Sequence, residues 1–197
     1  RLEGGHYSFY QPQWAAPGKR VVHDRVVANG VDCYYTVKDD TEIKDGTFLV
    51  GETEYTSFDE AVSACEEGGI VTFLGDFQIS NAAYIHKSVI LDLNGFCFSC
   101  TDSDFIYPDA YVKPTLRNGT IYVMKSGQSA FMVNNSGVDI FVENCAIFGH
   151  CLVYGLGSLN LDANCMTDIF CMGSVHGSAT VNVAGGRYSF RQWRDTT

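Results

Sequence analysis

The sequence predicts an all-β chain wound as a parallel β-helix, a solenoid, with a short N-terminal capping helix and a preceding β-hairpin segment. Three observations predict it. The first is a stretch, Ser88-Val-Ile-Leu-Asp-Leu-Asn-Gly95, that returns as Lys113 to Val123, Gly137 to Phe148, Ser158 to Thr167 and Ser178 to Phe190. Its turn residues Asn94, Asn118, Asn144, Asn164 and Gly185 lie 24, 26, 20 and 21 residues apart, a solenoid period. The second is that each turn residue precedes a small one (Gly95, Gly119, Cys145, Cys165, Gly186), as a crowded corner requires, while Asn or Gly adopts positive φ at low cost. The third is a match at a shift of 20 in the last two coils: Cys145 on Cys165, Cys151 on Cys171, Gly157 on Gly177, Ser158 on Ser178 and Leu161 on Val181. At about 3.3 Å per residue, a coil of roughly twenty residues holds three short strands with turns. The phase is imperfect: the apolar residue lies two before Asn118, Asn144 and Gly185 but one or three before Asn94.

Each element has its own signal. Arg20 to Ala28 and Asp32 to Lys38 read as strands joined by Asn29-Gly30, the strongest short hairpin signal. Thr47 to Tyr55 reads as a short strand pair around Gly51-Glu52. Ser57-Phe-Asp-Glu60 fits a capping box, with Phe58, Ala61, Val62 and Cys65 at helical spacing and Gly68-Gly69 as the stop. That helix covers the open end of a stacked core. Ile70 to Phe77 is expected as the first coil strand. The expected division is 1–46, the end of a preceding repeat plus hairpin linker, and 47–197, the β-helix module with its capping helix at 57–67.

The totals narrow the function classes. A 46% hydrophobic share of 197 residues suffices for a core. A formal charge of −10 with thirteen scattered Lys and Arg argues against nucleic acid as a partner. No run approaches the eighteen apolar residues of a membrane span, so no membrane insertion is expected. Glu3-Gly-Gly-His-Tyr-Ser-Phe9 echoes Ala184-Gly-Gly-Arg-Tyr-Ser-Phe190, each soon followed by Gln-Trp (Gln13-Trp14, Gln192-Trp193). Adjacent repeats of one parent chain are therefore expected partners.

The eight cysteines form no metal framework by spacing: Cys97-x-x-Cys100 has no second pair and no His at ligand spacing. Stacking places Cys145 over Cys165 and Cys151 over Cys171 about 4.8 Å apart, so reduced thiols or inter-coil disulfides both fit. The reduced ladder is the expectation.

Chemistry on such a scaffold would need carboxylates gathered on one strand face, about 5 to 9.5 Å apart for glycoside hydrolysis. The outward candidates are Asp92, Glu143 and Asp162, with Asp139 and Arg117, and stacking brings Glu143 and Asp162 roughly into range. The competing expectation is that these are solvated strand residues. Asp102, Asp104 and Asp109 form the densest acidic cluster and are the weak calcium candidate; no other cofactor is expected. Trp14, Tyr34, Tyr35, Tyr107 and Tyr111 lie in expected loops or hairpins, where aromatic platforms dock sugars. Trp14 and Trp193 would equally join successive repeats. The histidines show no partner in the sequence.

The runs Tyr55-Thr-Ser-Phe-Asp-Glu-Ala-Val62, Gly69-Ile-Val-Thr-Phe-Leu-Gly-Asp76 and Val89-Ile-Leu-Asp-Leu-Asn-Gly95, with the closing Gly185-Gly-Arg-Tyr-Ser-Phe190, resemble right-handed parallel β-helix modules of the pectate-lyase-like superfamily. Such modules occur in large secreted or cell-surface proteins of gut bacteria. The resemblance implies a secreted or surface location and a module without a demonstrated reaction. The paired-Asp, Gly-His-Gly and Arg-x-Lys signatures of that superfamily's polygalacturonases are absent from this sequence. The expected function is a non-catalytic adhesive, carbohydrate-binding or spacer unit meeting a glycan or a host or cell-surface protein. The alternative is a polysaccharide lyase or glycoside hydrolase using Asp92, Glu143 and Asp162.

Overall fold

The computed structural model describes residues 1–7, 14–40, 43–125, 127–149, 151–169 and 178–190, and the side chains of most of these. It is a β-solenoid of about five turns with one short helix and N-terminal hairpins.

In chain order, β1 (His6–Tyr7), β2 (Lys19–Ala28) and β3 (Val31–Asp39) form an antiparallel three-stranded sheet. Asn29 and Gly30 make the β2–β3 turn with φ of 54° and 77°, as an Asn-Gly hairpin requires. Next come β4 (Phe48–Val50) and β5 (Thr53–Tyr55), turning at Gly51, then α1 (Phe58–Ala64). Ser57 caps the helix, its Oγ accepting from the Glu60 amide at 3.4 Å, and Phe58, Ala61, Val62 and Cys65 are buried beneath it.

The turns follow. The first comprises β6 (Ile70–Phe73), β7 (Phe77–Ile79) and β8 (Ala83–Ile85); the second, β9 (Ile90–Asp92), β10 (Cys97–Cys100) and β11 (Ile106–Pro108). In the third and fourth, β12 (Thr115–Val123) and β14 (Asp139–Gly149) bend through a corner without losing their pairing, followed by β13 (Ser129–Val133) and β15 (Cys151–Gly155). Then come β16 (Ser158–Leu161), β17 (Met166–Ile169), β18 (Thr180–Val183) and β19 (Arg187–Phe190). The expected strand from Ile70 to Phe77 is in fact two, parted by a corner at Gly75, where a Cβ would lie 2.5 Å from the Asp45 amide nitrogen.

Three parallel faces result. Face A stacks β6, β9, the first half of β12, the first half of β14, β16 and β18. Face B stacks β7, β10, the second halves of β12 and β14, β17 and β19. Face C stacks β8, β11, β13 and β15. Because side chains alternate along a strand, each face turns one set to the core and the other outward, although on β13 both sets are buried. Val71, Leu91, Leu116, Val142 and Leu161 stand in register down face A, all buried. Each such side chain contributes on the order of 1.5–3 kcal/mol by leaving water.

The first turn is sealed by phenyl rings. Phe58 of α1 meets Phe48, Phe73, Phe77 and Phe98 at centroid distances of 5.3–6.5 Å. Lys87 reaches back to the carbonyls of Ser63 and Cys65 at the helix end, where cations suit the helix dipole. The β2–β3 hairpin packs against β12 and β14. Arg20 anchors it, bonding Asp40, Asp45 and Asp76 and lying 5.6 Å over the Phe96 ring.

The register corrects two parts of the expected repeat. Asn118 and Asn144 turn the A–B corner at φ of 58° and 49°, as expected, but Asn164 is not among the positive-φ residues. Pairing runs from Leu161↔Val142 to Met166↔Ala146, so this corner carries one extra residue: counted from face A, Ala163 falls opposite Asn144, and counted from face B, Asn164 does. A Cβ on Gly185 would sit 3.2 Å from Ala163 Cβ, which extends the count from face A. On face A the last offset is 22, not 20: Ser158 faces Thr180, and Leu161 faces Val183. The imperfect phase at Asn94 has the same cause, since six positions separate Leu91 from Cys97 where four separate Leu116 from Thr120.

Candidate functional site

The outward side chains of face A hold the expected carboxylates. Asp92, Arg117 and Glu143 lie in one file, paired strand to strand. Asp92 Oδ2 accepts from Arg117 Nε at 2.8 Å, both Asp92 oxygens accept from Asn118 Nδ2 at 3.2 and 3.3 Å, and Oδ1 also accepts from the Asn94 amide at 3.1 Å. Asp162 Oδ1 accepts from the amides of Asn144 and Asn164 at 3.0 and 2.9 Å, and its Oδ2 from Asn164 Nδ2 at 3.2 Å. Asp92 and Asp162 therefore brace corners. Glu143 is exposed beside Arg117 and one strand from Asp162. Asp139 belongs to another row; Lys113 and the Ser158 hydroxyl hold its carboxyl below the usual carboxylate range, partly offset by burial.

The acidic cluster does not converge. Asp102 accepts from Thr101 Oγ1 at 2.9 Å, Asp104 from the Ser129 amide at 2.6 Å, and Asp109 lies 2.7 Å from His86 Nδ1. Among the described residues no group of three or more His, Cys, Asp or Glu side chains is arranged to hold a metal ion. His86, expected without a partner, thus has one, and His6 Nδ1 lies 2.8 Å from Thr36 Oγ1.

Cys145 and Cys165 stack at the A–B corner as buried free thiols, donating to the carbonyls of Glu143 and Val142 at 3.4 and 3.2 Å. Burial pushes the Cys165 thiol up to about 12 and the Cys145 thiol well above its ordinary value. Cys97 is likewise pushed to about 12, by burial and by Asp76, and Cys100 is buried against the carbonyls of Asn81 and Ser103. The side chain of Cys151, and Cys171, lie outside the described residues.

The aromatic candidates separate. Tyr35 is 1% exposed, with its hydroxyl on Met166 Sδ at 3.6 Å, so it is core between hairpin and solenoid rather than a docking surface. Trp14 is 49% exposed near the N-terminus, and Tyr111 is 74% exposed on the loop after β11, its ring over Gly137. The side chain of Tyr34, together with Trp193, His150 and His176, is outside the described residues.

Tyr107 leads to the site that sequence reasoning missed. It is the outward residue of β11, in register with Tyr84 on β8; Phe131 pairs with Ile106, which sets Met132 beside Tyr107, and Met132 pairs with Tyr154 on β15. Tyr84, Tyr107, Met132 and Tyr154 thus share one register file across the four strands of face C, in which the three tyrosines reach solvent and Met132, 6% exposed, is buried between Tyr107 and Tyr154. Tyr84 and Tyr154 are 51% and 40% exposed, and the Tyr84 and Tyr107 rings lie 5.5 Å apart at 44°. The inward residues of the same strands, Ala83, Ile85, Ile106, Phe131, Val133 and Val153, already fill the core. One row along, His86 and Asp109 pair and Asn134 lies beyond them. The signal in the sequence was the alternation around each tyrosine, as in Ala83-Tyr84-Ile85.

No protein-family model matches this sequence, and comparison with curated proteins and with solved structures gives no match. No helix among the described residues is long and apolar enough to cross a membrane.

Proposed function

We propose that this chain is a non-catalytic β-helix module of a bacterial secreted or cell-surface protein, of the pectate-lyase-like class, which binds glycan or a surface protein along its side. The observation that carries this reading is the tyrosine file on face C, with Tyr84 and Tyr107 one strand spacing of about 4.8 Å apart and Tyr154 two strands further on, on a backbone tied together by parallel ladders. Tyrosine supplies broad, rigid contact area at small entropic cost, which suits it to recognition. The bracing of corners by Asp92 and Asp162 favours a structural role for those carboxylates. Secretion and the bacterial source rest on the resemblance of the first three runs and the closing rung to modules of that kind. A rigid rod of this type also serves as a spacer between repeats.

The second reading is a lyase or hydrolase of the same class, and the exposure of Glu143 beside Arg117 and Asp162 favours it. A glycan-array screen paired with reducing-sugar release from pectic and mucin substrates separates the two. Retention on glycans without release of reducing ends supports the binding module. Release that Glu143→Gln abolishes would establish the enzyme in its place.

A further inference from the structure

We infer that the ligand of face C is an uncharged glycan chain laid along the solenoid axis over Tyr84, Tyr107 and Tyr154, an inference that rests on the binding reading above. Direction comes from register. The file crosses four parallel strands, so its long axis is that of the solenoid and its reach is about 14 Å, enough for a short oligosaccharide. Its chemistry is that of a pyranose face: the rings of Tyr84, Tyr107 and Tyr154 present apolar area, with buried Met132 as the floor between the last two, and the neighbouring row of His86, Asp109 and Asn134 presents acceptors and donors for hydroxyl groups.

Charge selects among glycans. The chain carries a net −10, and the polar row beside the file holds the Asp109 carboxylate. The lysines at the neighbouring corner are already engaged, Lys87 by the helix-end carbonyls and Lys113 by Asp139. Among the described residues beside the file, His86 already pairs with Asp109 and neither lysine is free, so a polyuronate or sialylated chain would approach a net negative surface, whereas a neutral chain meets no such cost. The hydroxyls of a neutral sugar are suited to donate to Asp109 and to exchange bonds with Asn134.

The test is calorimetric titration of the intact chain with neutral β-linked oligosaccharides, from disaccharide to hexasaccharide, and with oligogalacturonates of the same lengths. It is run on the native sequence and on Tyr84→Ala, Tyr154→Ala and Tyr122→Ala, with thermal melts to confirm folding; Tyr122 is an exposed tyrosine on face B. The inference predicts neutral-chain affinity that rises with length, weakens about tenfold in Tyr84→Ala and in Tyr154→Ala, and is unchanged in Tyr122→Ala. Tighter binding of oligogalacturonate, or neutral binding insensitive to both face C substitutions, overturns the inference and leaves the binding reading in place. Binding of no glycan overturns the inference and strikes glycan from the binding reading, leaving a surface protein as its partner. Sedimentation showing a dimer that Tyr84→Ala dissociates would assign the face to a second copy and overturn the inference as well.

Discussion

Asn144 Nδ2 donates to Asn118 Oδ1 at 3.1 Å, and Asn118 Nδ2 donates in turn to Asp92, so one line of side-chain bonds ties three successive turns of the solenoid at the A–B corner. The line stops at Asn144. Its Oδ1 is buried without a partner, and in the next turn, whose corner is one residue longer, Asn164 Nδ2 donates to Asp162 instead. A single extra residue in the fifth turn thus breaks a ladder that the sequence alone suggests is continuous.

Asn118 holds both the corner geometry and the ladder. Asn118→Ala forfeits the tolerance for φ of 58° and the bonds to Asp92 and Asn144, at about 2–3 kcal/mol from roughly 1–2 for the left-handed backbone and about 1 for the bonds. Asn118→Gly restores the backbone part only. Denaturant unfolding should rank native above Gly above Ala.

Gly119 is small for a steric reason. A Cβ there would lie 2.4 Å from Leu93 Cβ and 2.6 Å from the Phe96 carbonyl oxygen, so Gly119→Ala should cost about 1–3 kcal/mol by overpacking. Gly4→Ala, with nothing within 4 Å, should leave the denaturation midpoint unchanged.

The helix seals the core through one ring. Phe58→Ala should destabilise by about 3–5 kcal/mol and raise binding of an apolar dye at neutral pH, because Phe48, Phe73, Phe77 and Phe98 lose their cover. Ser57→Ala removes only the cap bond, at about 1 kcal/mol.

The buried thiols set an alkaline limit. Cys165 ionises near 9 when unfolded and near 12 when folded, so the unfolded chain sheds its proton first. The Cys165 contribution to stability should be flat below about pH 9 and fall as pH rises from there toward 12. Cys165→Ala, which removes the titrating group, should lessen that slope; a slope unchanged in Cys165→Ala would refute the assignment.

Much of the architecture was legible because it rests on local chemistry. Asn29-Gly30 demands a hairpin, Ser57 to Glu60 a helix start, and asparagine with a small follower a tight corner; the hairpin, the helix start and the corners at Asn94, Asn118 and Asn144 are where the sequence places them. What escaped depends on corner length. Tyr84, Tyr107, Met132 and Tyr154 are separated by 23, 25 and 22 residues, so no fixed period aligns them, and only strand pairing shows that they share a file. Tyr35 was misjudged for a related reason: its strand alternation shows two faces, but the hairpin's packing against Met166 decides which is buried. Asp92 and Asp162 looked available because outward strand positions normally are, and the turn amides that claim them lie two residues along or a full coil away.

The register of the turns underlies the tyrosine file, and interstrand nuclear Overhauser contacts in isotope-labelled protein measure it most directly. The account predicts contacts linking Leu91 to Leu116, Leu116 to Val142 and Val142 to Leu161, together with ring contacts between Tyr84 and Tyr107. Contacts of antiparallel pattern, or a register that sets Tyr84 and Tyr107 on opposite faces, would contradict it.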